Sequence, residues 1–210
     1  MNKQKEVIVL VGNIGSGKST LTKRYQKLGY IVISRDQLRY AIGGGKYVFN
    51  TAFEKSIHAT ELYMYEKFLN LGKNIIIDET NMHNTSRKMY ASLAKGYGYE
   101  TSVIVLPKLT MKESVDRRMK DPHDQIDRKL WEKVWEKFDL MYEEPTKEEG
   151  FDNIIHHSNK LEVVPHIVEC RTCKFYGADP NCKDCNGTGH YHQGYIHIVN
   201  GIAFYGETIK

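Results

Sequence analysis

The first 169 residues contain no cysteine; all four cysteines fall between Cys170 and Cys185. A disulfide framework is therefore excluded for most of the chain. No run approaches eighteen apolar residues, so no membrane span is expected. Long internal repeats and low-complexity tracts are also missing, which argues against a repeat array or a disordered tail. Neither sign of charge dominates. Thirty basic residues face 26 acidic ones, for a net charge of +4. That balance permits a polyanionic partner without demonstrating one. What is present is ordinary: 27% charged residues and a 210-residue length, enough for one globular domain plus an appendage. The N-terminus, MNKQKEVIVLVG, has a charged start, but its apolar run leads straight into a glycine-rich loop. A cleaved signal peptide would remove that loop, so none is expected and a cytoplasmic location is.

The chain is organised around Val7 to Leu21, VIVLVGNIGSGKSTL. A buried strand runs into Gly12, and the pattern G-x-x-x-x-G-K-[ST] is filled by Gly12, Gly17, Lys18 and Ser19. Glycines let the backbone wrap until its N–H groups point at phosphate oxygens. The helix that follows turns its positive end to the same anion. Lys18 is placed to reach the β- and γ-phosphates of ATP or another nucleoside triphosphate, and the Ser19 hydroxyl to ligate Mg²⁺. The nucleotide-binding set is Gly12, Asn13, Gly15, Ser16, Gly17, Lys18, Ser19 and Thr20. The alternative is a glycine-rich turn that happens to carry a lysine. It would have to coincide with a strand before, a helix after and all four fixed positions.

Along the chain, strands are expected at Val7–Val11, Tyr30–Ile33, Asn74–Ile77, Thr101–Leu106 and Asn153–Ile155. Helices are expected from Lys18 to Leu28, Gln37 to Ile42, Thr51 to Leu71, Asn84 to Lys95, Thr110 onward and Asp127 to Met141. Gly43–Gly45 reads as a flexible loop. In the long helix Phe53, Ile57, Thr60, Met64 and Phe68 lie close to one face. Thr110 with Glu113 forms a capping box. In the last helix Leu130, Val134, Trp135, Phe138 and Met141 recur at helical spacing, and the Trp131/Trp135 pair reads as packing rather than a ligand platform. Strands alternating with helices imply an α/β fold, a parallel sheet with helices on both faces. Lys160 to Val168 reads as a connector. Beyond it Tyr195–Val199, Asn200-Gly201 and Ile202–Tyr205 carry a hairpin signature. The expected domains are 1–159 and a small β module, 160–210.

In an open parallel sheet, ligands bind beyond the carboxyl ends of the strands. Asp36 and Arg39 follow the second strand; Asp78, Glu79, Thr80 and Asn81 follow the third. Asp36 can serve as a general base for an attacking hydroxyl, or as a helix N-cap, or both. Arg39 is one turn along from Asp36, as a surface pair for it or a clamp on an acceptor phosphate. Asp78 stands where a Walker B acid holds Mg²⁺, and Glu79 competes for that role. Arg117 and Arg118 end a helix before the polar break at Lys120–Asp124. They are candidate lid arginines, or simple helix C-terminal charge.

Cys170-x-x-Cys173 and Cys182-x-x-Cys185 fit a tetrahedral four-cysteine Zn²⁺ site. A redox dithiol or disulfides are the competing readings, and His190 and His192 are substitute ligands only if a cysteine proves free. So short a segment has little apolar core, and its folding should depend on the metal.

Gly-Asn-Ile-Gly-Ser-Gly-Lys-Ser-Thr, Ser34-Arg35-Asp36-Gln37-Leu38-Arg39 and Ile77-Asp78-Glu79-Thr80-Asn81 together resemble the kinase domain of phage-type polynucleotide 5′-hydroxyl kinases, over about Glu6 to His157. The phosphate loop is shared by very many NTPases; the R-D-x-x-R and D-x-T-N elements are more specific. The resemblance implies Asp36 as general base, Arg39 against the acceptor's phosphate, and Thr80 with the acidic residue before it lining the acceptor pocket. It also implies a lid arginine near Arg117 or Arg118, where the break at Lys120-Asp121-Pro122-His123 departs from the family pattern. The best-known members continue into a phosphatase domain. About fifty residues remain here, with no acidic phosphatase motif, so no 3′-phosphatase is expected. The cysteine segment resembles zinc-ribbon or co-chaperone knuckle modules, which implies a metal and no particular partner; in the functional reading that follows, this module would help hold the acceptor. The expected function is ATP- and Mg²⁺-dependent transfer to a hydroxyl of DNA or RNA, first a 5′-hydroxyl end. The alternatives are a hydroxymethylated base in DNA, a small-molecule alcohol, or a nucleotide-dependent binding module that transfers nothing.

Overall fold

The computed structural model describes residues 5–120, 127–157, 162–169, 181–182, 190–199 and 202–206. It divides into two compact units, Met1–His156 and His157–Lys210. The first holds a sheet of five parallel strands: β1 (Glu6–Val11), β2 (Ile31–Ile33), β3 (Ile75–Ile77), β4 (Glu100–Val105) and β5 (Asn153–His156). Their spatial order is β2-β3-β1-β4-β5. Central β1 and β3 are continuous apolar runs because both faces of such a sheet are covered. Val7, Ile8, Val9, Leu10 and Val11 are all buried, with Val7 opposite Ile75 and Thr101.

Helices α1 (Lys18–Lys27), α2 (Arg35–Ile42), α3 (Glu54–Asn70), α4 (Asn84–Gly96), α5 (Met111–Arg118) and α6 (Arg128–Leu140) cover the sheet. Side chains alternate across a strand. Val7, Val9 and Val11 join Tyr65 and Leu69 of α3 and Tyr90, Ala91 and Ala94 of α4 in one core, while Ile8 and Leu10 face the other way. The capping box at Thr110 forms as expected: its hydroxyl accepts from the Glu113 N–H and the Glu113 carboxylate accepts from the Thr110 N–H. Trp131 is buried, and Trp131 and Trp135 pack with Ile14 and Val115.

Several expectations need correction. β2 is an edge strand, so Ile31 and Val32 are only half-buried. α2 begins at Arg35, not Gln37. Ser34, in an extended conformation, holds the N-cap position and Asp36 lies within the first turn, which removes the N-cap reading of Asp36. Gly43–Gly45 closes α2 in a hydrogen-bonded turn, with Gly43 N–H donating to Arg39 O and Gly45 N–H to Tyr40 O. α3 starts three residues late, and its buried stripe is Ile57, Glu61, Tyr65 and Leu69. Phe53 and Thr60 are exposed. Leu130 and Met141 are exposed as well.

The second unit contains an antiparallel sheet of β6 (Glu162–Glu169), β7 (His190–Val199) and β8 (Ile202–Gly206), in the order β6-β7-β8. The segment read as a connector is therefore mostly a strand. Proline costs a ladder bond and is tolerated at sheet edges and bulges. Pro165 sits in edge strand β6, next to a register shift between Pro165 and Ile167. Val199 pairs with Ile202, as the hairpin signature requires. Residues 200–201 of its turn lie outside the described residues. So do residues 121–126 of the polar break and Cys170, Cys173 and Cys185.

Candidate active site

The phosphate loop joins β1 to α1. Gly17 takes the N-cap of α1 with φ 102°, and Gly15 has φ 67°, values that L side chains rarely adopt. A Cβ on Gly15 would also come within 2.6 Å of the Ser114 carbonyl oxygen, so α5 fits directly against the loop. Asn13 is used locally: its Nδ2 donates to Trp135 O (2.9 Å) and its Oδ1 accepts from Ile14 N–H (2.7 Å). This tie, with Ile14 packed on Val115 and Trp131, fixes the loop to α5 and α6. The Ser16 hydroxyl is buried with no hydrogen-bond partner. Together with the N–H groups of the first α1 turn, which no helical carbonyl accepts, it makes a cradle suited to an anion. Ser19 and Thr20 are exposed at its rim.

Lys18 Nζ donates to the carbonyls of Gly12 (2.8 Å) and Asn13 (2.9 Å). Burial lowers its pKa to about 8, against the pull of Asp78, Asp36 and Glu79, and Arg118 lowers it further. The groups read from separate segments therefore converge on this one ammonium. Asp78 acts on it most strongly. Burial raises the Asp78 carboxyl, and Lys18 and the hydroxyls of Thr22 and Ser19 lower it. Asp78 and Ser19 are accordingly suited to share a divalent cation. Among the described residues, no cluster of three or more His, Cys, Asp or Glu side chains forms a metal cage; a site of two protein ligands completed by phosphate oxygens is the usual arrangement for Mg²⁺.

Asp36 is held from two sides. Arg39 Nη1 donates to its Oδ1 at 2.6 Å and the Tyr47 hydroxyl donates to the same oxygen at 3.1 Å. Both bonds land on Oδ1, and no hydrogen bond among the described residues reaches Oδ2. The Asp36 side chain is 58% exposed, which gives a second molecule access. Arg39 is 8% exposed. Its Nε and Nη2 form a two-point pair with Glu54 at 3.0 and 2.5 Å, and Arg39 in turn lowers the Glu54 carboxyl. Arg39 is thus a pair for Asp36, buried rather than on the surface. Neither Tyr47 nor Glu54 was marked by the sequence. They lie 8 and 15 residues from Arg39, across a turn whose path no local pattern encodes.

Glu79 belongs to another network. Its carboxylate accepts from Arg35 N–H (2.6 Å) and Arg35 Nη2 (2.8 Å). Burial raises its pKa and Arg35 opposes that. Thr80 lends its carbonyl to the Gly12 N–H (3.0 Å). Asn81, buried and with φ 46°, donates Nδ2 to the last-but-one carbonyl of β1, at Leu10 (2.9 Å). Beneath this loop Arg87 forms a fully buried two-point pair with Glu149 (2.7 and 2.6 Å) and donates Nη1 to the carbonyls of Asn81 (2.8 Å) and Met82 (3.0 Å). No local pattern marks this brace, whose partners lie 62 residues apart. At the other edge, Arg117 Nη1 donates to Gly15 O at 3.2 Å. Arg118 stacks on the Trp131 ring, 4.3 Å from its centroid, and of the two it is the one whose charge acts on Lys18.

A strand, an anion-binding glycine loop, a lysine and an acid at the next strand's end define a P-loop kinase-like fold. The chain belongs to the AAA_33 family, an AAA domain, whose model matches residues 7–145. An L-seryl-tRNA(Sec) kinase of Methanococcus maripaludis is 27% identical over 142 residues, 63% of this chain and 52% of that protein. A bifunctional polynucleotide phosphatase/kinase of Schizosaccharomyces pombe is 29% identical over 157 residues, 73% of this chain and 33% of that protein. The chain thus spans about half or less of these curated relatives. A fungal RNA kinase crystal structure superposes with a TM-score of 0.53 at 17% identity, covering 75% of this chain and 77% of that one, a likeness of fold. Among the described residues, no helix is long and apolar enough to cross a membrane.

Proposed function

We propose that this chain transfers the γ-phosphate of ATP to a hydroxyl carried by a nucleic acid, most directly a 5′-hydroxyl end. The observation that carries the reading is the Asp36 carboxylate, exposed, pinned through Oδ1 by Arg39 and Tyr47, and within electrostatic range of the Lys18 ammonium. A switch that only binds nucleotide has no use for a carboxylate so placed. The loop from Gly12 to Thr20 holds the triphosphate. Ser19 and Asp78 would hold Mg²⁺, which would neutralise phosphate charge. Asp36 Oδ2 takes the proton from the acceptor hydroxyl. The acceptor oxygen bonds to the γ-phosphorus as the bridge to the β-phosphate breaks, and ADP leaves with the bridging electrons. Lys18 and Arg118 offset the charge developing on the γ-oxygens. The acceptor side comprises Asp36, Arg39 and the loop of Glu79, Thr80 and Asn81, with Arg39 proposed to meet an acceptor phosphate through a remaining Nη N–H while its pair with Glu54 is kept.

Nucleic acid is favoured as carrier because the relatives are a kinase of L-seryl-tRNA(Sec) and a polynucleotide phosphatase/kinase. The test is transfer of labelled γ-phosphate to a panel: 5′-hydroxyl DNA and RNA oligonucleotides, seryl-tRNA, hydroxymethyluracil DNA and small alcohols. Labelling of the 5′-hydroxyl oligonucleotides supports the proposal, and labelling of the small alcohols alone overturns it.

Lys18 supplies a pH prediction. Free protein should lose its loop cation as pH rises through about 8, so kcat/KM for ATP should fall there. Bound phosphates hold the proton on, so kcat should fall only at higher pH. A flat kcat/KM profile to well above that pH contradicts the role given to Lys18.

The cysteine quartet Cys170, Cys173, Cys182 and Cys185 is proposed, on spacing, to hold Zn²⁺. Of the four, Cys182 is among the described residues and is buried. Metal analysis should find about one zinc per chain; none, with the cysteines titrating as disulfide, would remove the claim.

A further inference from the structure

Four aromatic residues follow the base along the chain: Tyr40, Tyr47, Phe49 and Phe53. Tyr47 is committed. Its ring meets Tyr40 edge-on with centroids 5.3 Å apart, and its hydroxyl donates to Asp36. Phe49 is different. The residue is 61% exposed, yet its ring lies against the Arg39 guanidinium, 5.5 Å from centroid to Cζ. Single exposed hydrophobic residues are common and carry nothing by themselves. Here the ring is one guanidinium away from the carboxylate proposed to take the acceptor's proton, because Arg39 bonds Asp36 and contacts Phe49 at once. The same guanidinium is tied to Glu54, so the platform is held in place rather than left to swing.

From this geometry we infer that Phe49 is the stacking surface for the nucleobase of the acceptor's unpaired terminal nucleotide. The inference rests on the transferase reading and deepens it, by naming an unpaired polynucleotide end as the acceptor class. An unpaired base offers a flat π-face, and an aromatic side chain beside a guanidinium is the usual partner for it. A small alcohol has no such face and gains nothing from the ring. Phe49 is a specificity residue under this account and takes no part in proton transfer.

The test compares two single-stranded 5′-hydroxyl oligonucleotides that differ only in whether the first nucleotide carries a base or is abasic. Wild-type protein should favour the base-bearing end by roughly 5- to 100-fold in kcat/KM, chiefly through KM. Phe49→Ala should bring the two acceptors to near equality while the KM for ATP stays put, and Phe49→Trp should restore the preference. Equal use of the two acceptors by wild type overturns the inference, as does a preference that survives in Phe49→Ala. If wild type labels no oligonucleotide at all, the transferase reading fails and the inference falls with it. Labelling of both ends alike sinks the platform alone.

Discussion

Asp36→Asn is expected to lower kcat for transfer by about 10²- to 10⁴-fold while leaving ATP binding near wild type. Asparagine keeps the size of the side chain and an oxygen that can accept from Arg39 and Tyr47 (2.6 and 3.1 Å). What it cannot do is take a proton. The triphosphate grip belongs to the loop, Lys18 and the first turn of α1, none of which hydrogen-bonds to Asp36. Removal of the negative charge should lower the Lys18 pKa further, since Asp36 is one of the groups that raises it, so ATP binding is compared at a pH well below 8, where Lys18 keeps its proton in both proteins. Nucleotide titration and single-turnover transfer on the same preparation separate binding from chemistry. A wild-type transfer rate would mean that Asp36 is only a partner for Arg39.

The second large effect concerns stability. Glu149→Ala should cost about 3–5 kcal/mol, because it strands the Arg87 guanidinium in a site with no solvent. Arg87 is fully buried and bonds both Glu149 oxygens. Its Nη1 donors hold the Asn81 and Met82 carbonyls, so the loop after β3 should loosen too. Replacing both partners by apolar residues of similar volume, Arg87→Met with Glu149→Leu, should recover much of the loss. Denaturant unfolding measures all three proteins. A cost under about 1 kcal/mol for Glu149→Ala contradicts the assignment of that pair as a brace.

The parts of this fold that could be read from sequence are those encoded locally. Strand, glycine turn and helix sit in consecutive residues at the phosphate loop, and the capping box at Thr110 spans four. The parallel sheet followed from apolar runs such as Ile75–Ile77 alternating with helical stretches. The face expected for the long helix α3 is only partly the buried one: Ile57 is buried and Met64 and Phe68 pack half-buried on the core, while Phe53 and Thr60 are exposed. Counting apolar residues favours Met64 and Phe68, but the buried stripe includes Glu61, whose carboxylate accepts from the Tyr90 hydroxyl at 2.7 Å and lies 3.1 Å from His58 Nδ1. A buried charge with partners on other elements has no sequence signature. The site divides the same way. Lys18, Asp36 and Asp78 stand out in the sequence by their places after strands, and their charges meet in the structure; the helix end marks Arg117 and Arg118 alike, and of these Arg118 is the one whose charge acts on Lys18. Glu54 and Tyr47, which pin Arg39 and Asp36, and Glu149, which holds Arg87, were not, because each acts across a chain reversal. Glu79 shows a further limit. Spacing set it beside Asp78 as a rival, but its bonds to the Arg35 backbone and side chain tie it to the start of α2.

The central claim is that an alcohol at a polynucleotide end meets the γ-phosphate beside Asp36. The most direct measurement follows the label itself. A 5′-hydroxyl oligonucleotide is incubated with the protein, Mg²⁺ and γ-labelled ATP, then digested to mononucleotides and separated. The account predicts the label on the 5′-phosphate of the terminal nucleotide, absent when Asp36 is replaced by asparagine. Label recovered on a modified base, or only as free phosphate, would contradict it.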